Sequence, residues 1–278
     1  MQAVLYVGHG SRVQQGNEEL LTFVEKAKKK LSDIPIQESC FIELCEPTIA
    51  MGIDACISQG ATKVAVIPVL LLTANHAKLD IPIEIDKAKK RYPDVMFTYG
   101  RPLGIESTII TILKERLQSE GVPVTIGQTK DDKRGPVSVL LVGRGSSDPD
   151  ANSDLVKISR LLWEYTPISD VDVCYIAATR PTVDEGLERI NRIPNKKVYV
   201  LPYLLFTGVL MEGLQKTLNL WNEKTEKEFI LCSYLGFADA LVDVLVTRIK
   251  ETLSDDVKVN CDACRFRINH VEQQSPAQ

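Results

Sequence analysis

The chain carries one strand-and-turn pattern twice. Ile67-Pro68-Val69-Leu70-Leu71-Leu72-Thr73 returns as Leu201-Pro202-Tyr203-Leu204-Leu205-Phe206-Thr207, and Glu46-Pro47-Thr48 returns as Arg180-Pro181-Thr182, both 134 residues on (68 to 202, 47 to 181). Val4-Leu5-Tyr6-Val7-Gly8-His9-Gly10-Ser11 returns as Val139-Leu140-Leu141-Val142-Gly143-Arg144-Gly145-Ser146, 135 residues on (8 to 143). Solenoid repeats run to roughly 20–50 residues, so a repeat of this length is a duplicated domain. Whatever fold one copy takes, the other must take as well. With 278 residues in all, each copy is long enough to bury a core of its own.

Inside each copy, short β-branched runs alternate with stretches of helical periodicity. Strands are predicted at 3–7, 36–42, 63–67 and 96–99, then at 138–142, 171–176, 197–201 and 228–233. Helices are predicted at 17–31, 47–59, 77–91 and 106–120, then at 152–165, 181–192, 208–222 and 239–253. Leu20, Leu21, Val24, Ala27, Lys28 and Leu31 form the stripe of the first helix at a period of 3.6. This alternation predicts an α/β fold of two similar domains. Each is an open four-stranded parallel sheet flanked by helices, with an active cleft between them. Right-handed crossovers put the strand carboxyl ends of a sheet on one edge. The expected boundaries are a domain at 1–120, a polar linker at 121–136 with the charge run 130–134, a second domain at 137–253 and a tail at 254–278.

A net charge of −4 argues against a general nucleic-acid binder, whose footprint is strongly basic. The longest apolar stretch, 64–73, falls well short of the roughly 20 residues of a membrane-spanning helix. The first residues read as a strand rather than a secretory leader, and seven scattered cysteines read as reduced thiols. Together these predict a cytoplasmic protein. Cys40, Cys45, Cys56, Cys174 and Cys232 fall in or beside strand and helix patterns and are expected to act as small core residues.

Gly8-His9-Gly10 suggests a dinucleotide loop, but the third glycine of that fingerprint is replaced by Val13, and by Asp148 in the second copy. The glycines are better explained as a tight turn presenting residue 9 or 144 at the sheet edge. Glu43 follows the second strand and His76 the third, so three edge loops each supply one polar group: His9, Glu43 and His76. Two imidazoles and a carboxylate suit a divalent first-row metal, and they also suit proton transfer near neutrality. The second copy has Arg144, Ala177 and Leu210 at these positions. It keeps the scaffold pattern and lacks all three groups. A lone histidine beside a turn is ordinarily a structural hydrogen-bonder, and an acid such as Glu46 before a helix ordinarily answers the helix dipole.

At Gly8-His9-Gly10-Ser11-Arg12, Glu43-Leu44-Cys45-Glu46-Pro47 and Pro68-Val69-Leu70-Leu71 running on to His76, the chain resembles the sirohydrochlorin chelatases. The resemblance covers about residues 1 to 253 and is to the long form, in which two fused copies replace two subunits. It implies ATP-independent insertion of Fe2+ into sirohydrochlorin, giving sirohaem and two protons. Co2+ insertion for cobalamin synthesis is the alternative, Ni2+ is a further metal to consider, and no organic cofactor is expected. A reading of another class is a two-lobed, non-catalytic binding protein for a metal or an anionic tetrapyrrole. On the resemblance, His9, Glu43 and His76 are the catalytic set, with His9 and His76 as metal ligands. The many carboxylates of the tetrapyrrole would meet Arg12, Ser11, Lys78 and Arg144, with Arg101 and Arg180 as further candidates. No nucleic-acid or membrane partner is expected. A monomer is the simplest expectation and a weak dimer the alternative.

The apolar segments 69–72 and 203–206 read mainly as buried strand continuation. Cys261-Asp262-Ala263-Cys264 with His270 offers three zinc ligands where a structural site needs four, which predicts an exposed reduced tail.

Overall fold

The computed structural model describes residues 1–126, 134–236 and 238–254. The first copy runs β1 (Gln2–Gly8), α1 (Gln14–Lys30), β2 (Ile36–Phe41), α2 (Ile49–Ser58), β3 (Lys63–Pro68), a π-helical turn (His76–Asp80), α3 (Ile81–Arg91), β4 (Met96–Tyr99) and α4 (Ser107–Ser119). The second runs β5 (Gly135–Gly143), α5 (Pro149–Glu164), β6 (Ile168–Tyr175), α6 (Val183–Asn191), β7 (Lys197–Tyr203), α7 (Val209–Lys224), β8 (Glu228–Leu231) and α8 (Asp239–Leu253). All eight expected strands and eight expected helices are present, with shifted ends. Both sheets are wholly parallel, in the orders β2-β1-β3-β4 and β6-β5-β7-β8. Strand order reverses beside β1, and the carboxyl ends of strands at such a reversal are where open α/β sheets bind ligands.

Parallel strands covered on both faces read as continuous apolar runs, and Ala3 to Val7 of β1 are fully buried. Leu5, Val66, Ile53 and Ile81 share one core cluster; Leu140, Val200, Leu187 and Leu218 share the other. Each such side chain contributes about 1.5–3 kcal/mol by leaving water. The α1 stripe is Gly16, Leu20, Phe23, Val24 and Ala27, while Leu21 faces outward. Three helices start where a side chain satisfies a free N–H. Thr48 accepts from the Met51 amide, Thr182 from Glu185 in a reciprocal capping box, and Asp148 from Asp150 with Pro149 behind it.

The compact units are divided differently from the two sequence copies. Among the described residues, one unit takes in 1–104 and 241–254, and the other those between 105 and 240. Each copy therefore gives its last helix to the other copy's sheet. In α8, the buried Arg248 donates from Nε to the Pro102 carbonyl (3.2 Å) and from Nη2 to the Leu103 carbonyl (2.7 Å). Glu251 accepts from Arg248 at 2.9 Å and from Arg101 at 3.0 and 2.9 Å. In α4, Arg116 repeats the motif, donating to the Tyr234 (2.9 Å) and Leu235 (2.6 Å) carbonyls. Of the stretch 121–136, the described residues, 121–126 after α4 and 134–136 at the start of β5, belong to the second unit. Periodicity marks the buried face of a helix but carries no record of which sheet it covers. No helix among the described residues is long and apolar enough to cross a membrane.

Candidate metal centre

Two loops run side by side past the ends of β1 and β2. Gly8 O accepts from Ile42 N (2.9 Å) and His9 O from Glu43 N (3.1 Å), so the ladder continues beyond the strands. The same two bonds recur in the second copy, from Ile176 N to Gly143 O and from Ala177 N to Arg144 O, each 2.9 Å. The approach requires glycine. Gly10 has φ +92°, and a Cβ there would lie 1.9 Å from the Glu43 carbonyl oxygen; Gly145 has φ +84° and would meet the Ala177 oxygen at the same distance. The Gly-x-Gly turn is thus a scaffold device that sets residue 9 beside residue 43.

Within this frame His9 Nε2 lies 3.6 Å from Glu43 Oε1. His9 Nδ1 is 3.0 Å from the Gly10 carbonyl oxygen, which can only accept, so Nδ1 carries the hydrogen. His76 opens the π-helical turn, and its ring meets that of His9 edge-on, with centroids 4.7 Å apart. His9, Glu43 and His76 each offer one ligand atom, and the three atoms lie within 4.8 Å of one another. Metal bonds of about 2.1 Å hold two ligand atoms at most about 4.2 Å apart. A small side-chain closure therefore suffices to seat an ion. The histidine side chains are each 27% exposed, which leaves them reachable from solvent. His76 Nδ1 is also 2.6 Å from Asp80 Oδ2. An acid four residues after a histidine is common on any helix, and nothing in the sequence marks Asp80 out.

The expected substrate-binding residues divide. Arg12 and Arg144 are exposed, and Lys78 is half-buried within the π-helical turn. Ser11 is tied into its own turn: Oγ accepts from Val13 N (3.0 Å) and its carbonyl from Asn17 Nδ2 (2.8 Å). Ser146 does the same with Asp148 and Asn152, so the scaffold accounts for this serine. Arg101 is engaged by Glu251, as described, and Arg180 pairs with Glu185 at 3.0 Å. β3 stops at Pro68, and Leu70–Leu72 are half-buried in the loop leading to His76, so only Val69 of that run is buried. Beyond Tyr203, which ends β7, Leu204 is buried while Leu205 and Phe206 are half-buried. Cys40, Cys56, Cys174 and Cys232 are buried as expected, whereas Cys45 is partly exposed. The Cys261, Cys264 and His270 group lies outside the described residues.

Comparison with known proteins fits this arrangement. The CbiX family model matches the chain twice, over residues 3–120 and 138–252. The chain is 48% identical over 254 residues to the sirohydrochlorin ferrochelatase of Priestia megaterium, covering 91% of each protein. It is 43% identical over 273 residues to the sirohydrochlorin cobaltochelatase of the same organism, covering 98% of this chain and 87% of the relative. Among solved structures it is similar to SirB from Bacillus subtilis with Fe3+, at TM-score 0.79 and 39% identity, covering 92% of this chain and 96% of that one. The chain is a member of the CbiX family, carrying two copies of the family's domain in one polypeptide.

Proposed function

We propose that the protein inserts Fe2+ into sirohydrochlorin without ATP, replacing two pyrrole N–H protons by one divalent ion and releasing both protons. The observation that carries this reading is the convergence of His9, Glu43 and His76 within 4.8 Å at one sheet edge. In the second copy the same edge has none of the three groups. His9 and His76 take up the incoming ion through imidazole nitrogens and hand it to the macrocycle. Glu43, exposed beside His9, accepts a pyrrole proton, and an imidazole freed of metal is a second acceptor at neutral pH. Arg12, Lys78 and Arg144 grip the carboxylates of the tetrapyrrole by charge-assisted hydrogen bonds. The scattered cysteines of the sequence favour the cytoplasm as the compartment.

Co2+ insertion is the second reading, favoured by the similarity to a cobaltochelatase over nearly the whole chain. Nitrogen and oxygen donors bind both ions, so supply rather than the ligand set decides between them. The test is the absorbance change of sirohydrochlorin with Fe2+, Co2+ or Ni2+ and catalytic amounts of protein, anaerobically. Multiple turnovers that vanish in His9→Ala and His76→Ala, with both variants folded, support the reading. A change that stops at one equivalent makes the protein a binder. Full activity in both variants removes the histidines from the reaction.

A further inference from the structure

The two copies part company at the π-helical turn. Thr73 and Thr207 are 134 residues apart, whereas the buried pairs Ile81 and Leu214, and Ile85 and Leu218, are 133 apart. The first copy thus carries one extra residue between the end of β3 and the buried face of α3. That residue is absorbed by the π-helical turn, closed by the bond from Ile81 N to His76 O. In the second copy α7 runs as ordinary α-helix from Val209. A single-residue insertion taken up as a π-turn is the form such turns take inside helices, and they concentrate at functional sites.

This turn puts Asp80 Oδ2 2.6 Å from His76 Nδ1. The pair does little for the fold. Asp80 is 45% exposed, exposed ion pairs stabilise little, and the second copy builds its helix with Gly213 at the matching position, 133 residues on. A carboxylate only accepts, so it fixes the hydrogen on Nδ1 and leaves the Nε2 lone pair as the ligand. Metal-binding histidines are commonly oriented in this way, and losing the carboxylate typically costs 10–100-fold in affinity or activity.

We propose that Asp80 is a positioning residue for metal uptake, holding His76 in the Nδ1–H form with Nε2 toward His9 and Glu43, and that the one-residue insertion is what delivers it. The role in uptake rests on the chelatase reading, but the tautomer does not. The experiment uses the full chain as wild type, Asp80→Asn and Asp80→Ala, labelled with 15N-histidine, metal-free, at a pH where the imidazoles are neutral. His76 is expected as the Nδ1–H tautomer in the wild type and shifted toward Nε2–H in Asp80→Ala. Co2+ titrated without sirohydrochlorin is expected to bind 10–100-fold more weakly to Asp80→Ala, with a smaller loss in Asp80→Asn, whose side-chain oxygen still accepts. In turnover, KM for metal rises while KM for sirohydrochlorin stays level. An Nε2–H tautomer of His76 in the wild type overturns the proposal, whether or not the protein turns over. A lower Tm in both variants with unchanged tautomer and Co2+ affinity also overturns it, leaving Asp80 as an acid at a helix start. Absence of turnover in the wild type, with the tautomer as expected, defeats the chelatase reading and leaves the positioning of His76 standing.

Discussion

Gly10→Ala and Gly145→Ala form a matched pair that separates scaffold from chemistry. Each places a methyl group 1.9 Å from a carbonyl oxygen, where real Cβ atoms essentially never come under 3.0 Å, so each loop must open by at least about 1.1 Å. A left-handed backbone costs a non-glycine residue roughly 1–2 kcal/mol. The bond between residues 9 and 43, or 144 and 177, is lost as well, at about 0.5–1.5 kcal/mol, and displaced backbone adds roughly 1–3 kcal/mol. Each variant should lose about 3–6 kcal/mol, lowering Tm by roughly 10 °C in a chain of this size. The functional outcomes should diverge. In Gly10→Ala the same opening shifts the loop that carries His9 against the one that carries Glu43, whose side chains now lie 3.6 Å apart, and a misplacement of about 1 Å can cost 10²-fold. Co2+ affinity should therefore fall sharply in Gly10→Ala and stay near wild type in Gly145→Ala, measured by titration well below both melting temperatures. Equal loss of Co2+ affinity in the two variants, or intact affinity in a destabilised Gly10→Ala, refutes the assignment of the turn's chemistry to the first copy.

Arg144→Ala should raise KM for sirohydrochlorin with little change in kcat, measured by initial rates; an unchanged KM excludes it from substrate binding. Glu251 is held below the ordinary carboxylate range, first by its hydrogen bond from Arg101 and then by the nearby Arg248. A depressed carboxyl pKa gives stability that is present above the unfolded value, near 4.3, and is lost as pH falls through the folded value. Urea midpoints should therefore drop below about pH 4.5, and Glu251→Gln should flatten that part of the profile. Burial pushes the thiols of Cys56, Cys174 and Cys232 up to about 12, and that of Cys40 upward as well. Iodoacetamide at pH 8 should accordingly modify Cys45 in the native protein and those four only after denaturation, read by peptide mass.

Strands were legible because buried parallel strands are nearly unbroken apolar runs, as 3–7 and 138–142 are. Helix starts were less so. α5 begins at Pro149, three residues before the expected position, on an Asp148 cap that the apolar pattern does not register. Phe23 belongs to the α1 stripe and Leu21 does not, since neighbouring phases of a 3.6 period overlap over so short a span. His9, Glu43 and His76 could be picked out because the second copy lacks them while repeating the strands that lead to them. Asp80 could not, since its partnership depends on a π-turn that periodicity does not reveal. The motif points Ser11 toward substrate, and the structure adds that its Oγ accepts from the Val13 amide.

The reciprocal loan of α4 and α8 changes what counts as a module. The apolar face of α4 (Ile109, Ile110, Ile112, Leu113 and Leu117) has been shaped against the sheet encoded by the second copy, and Arg116 against its loop carbonyls. Substitutions in one copy are therefore tested by packing in the other, and neither gene half can drift freely once the two are fused. A chimera with a relative joined within 121–136 would install a foreign helix on each sheet. Joined at 104/105 and again at 240/241, it would exchange a complete unit with its helix included.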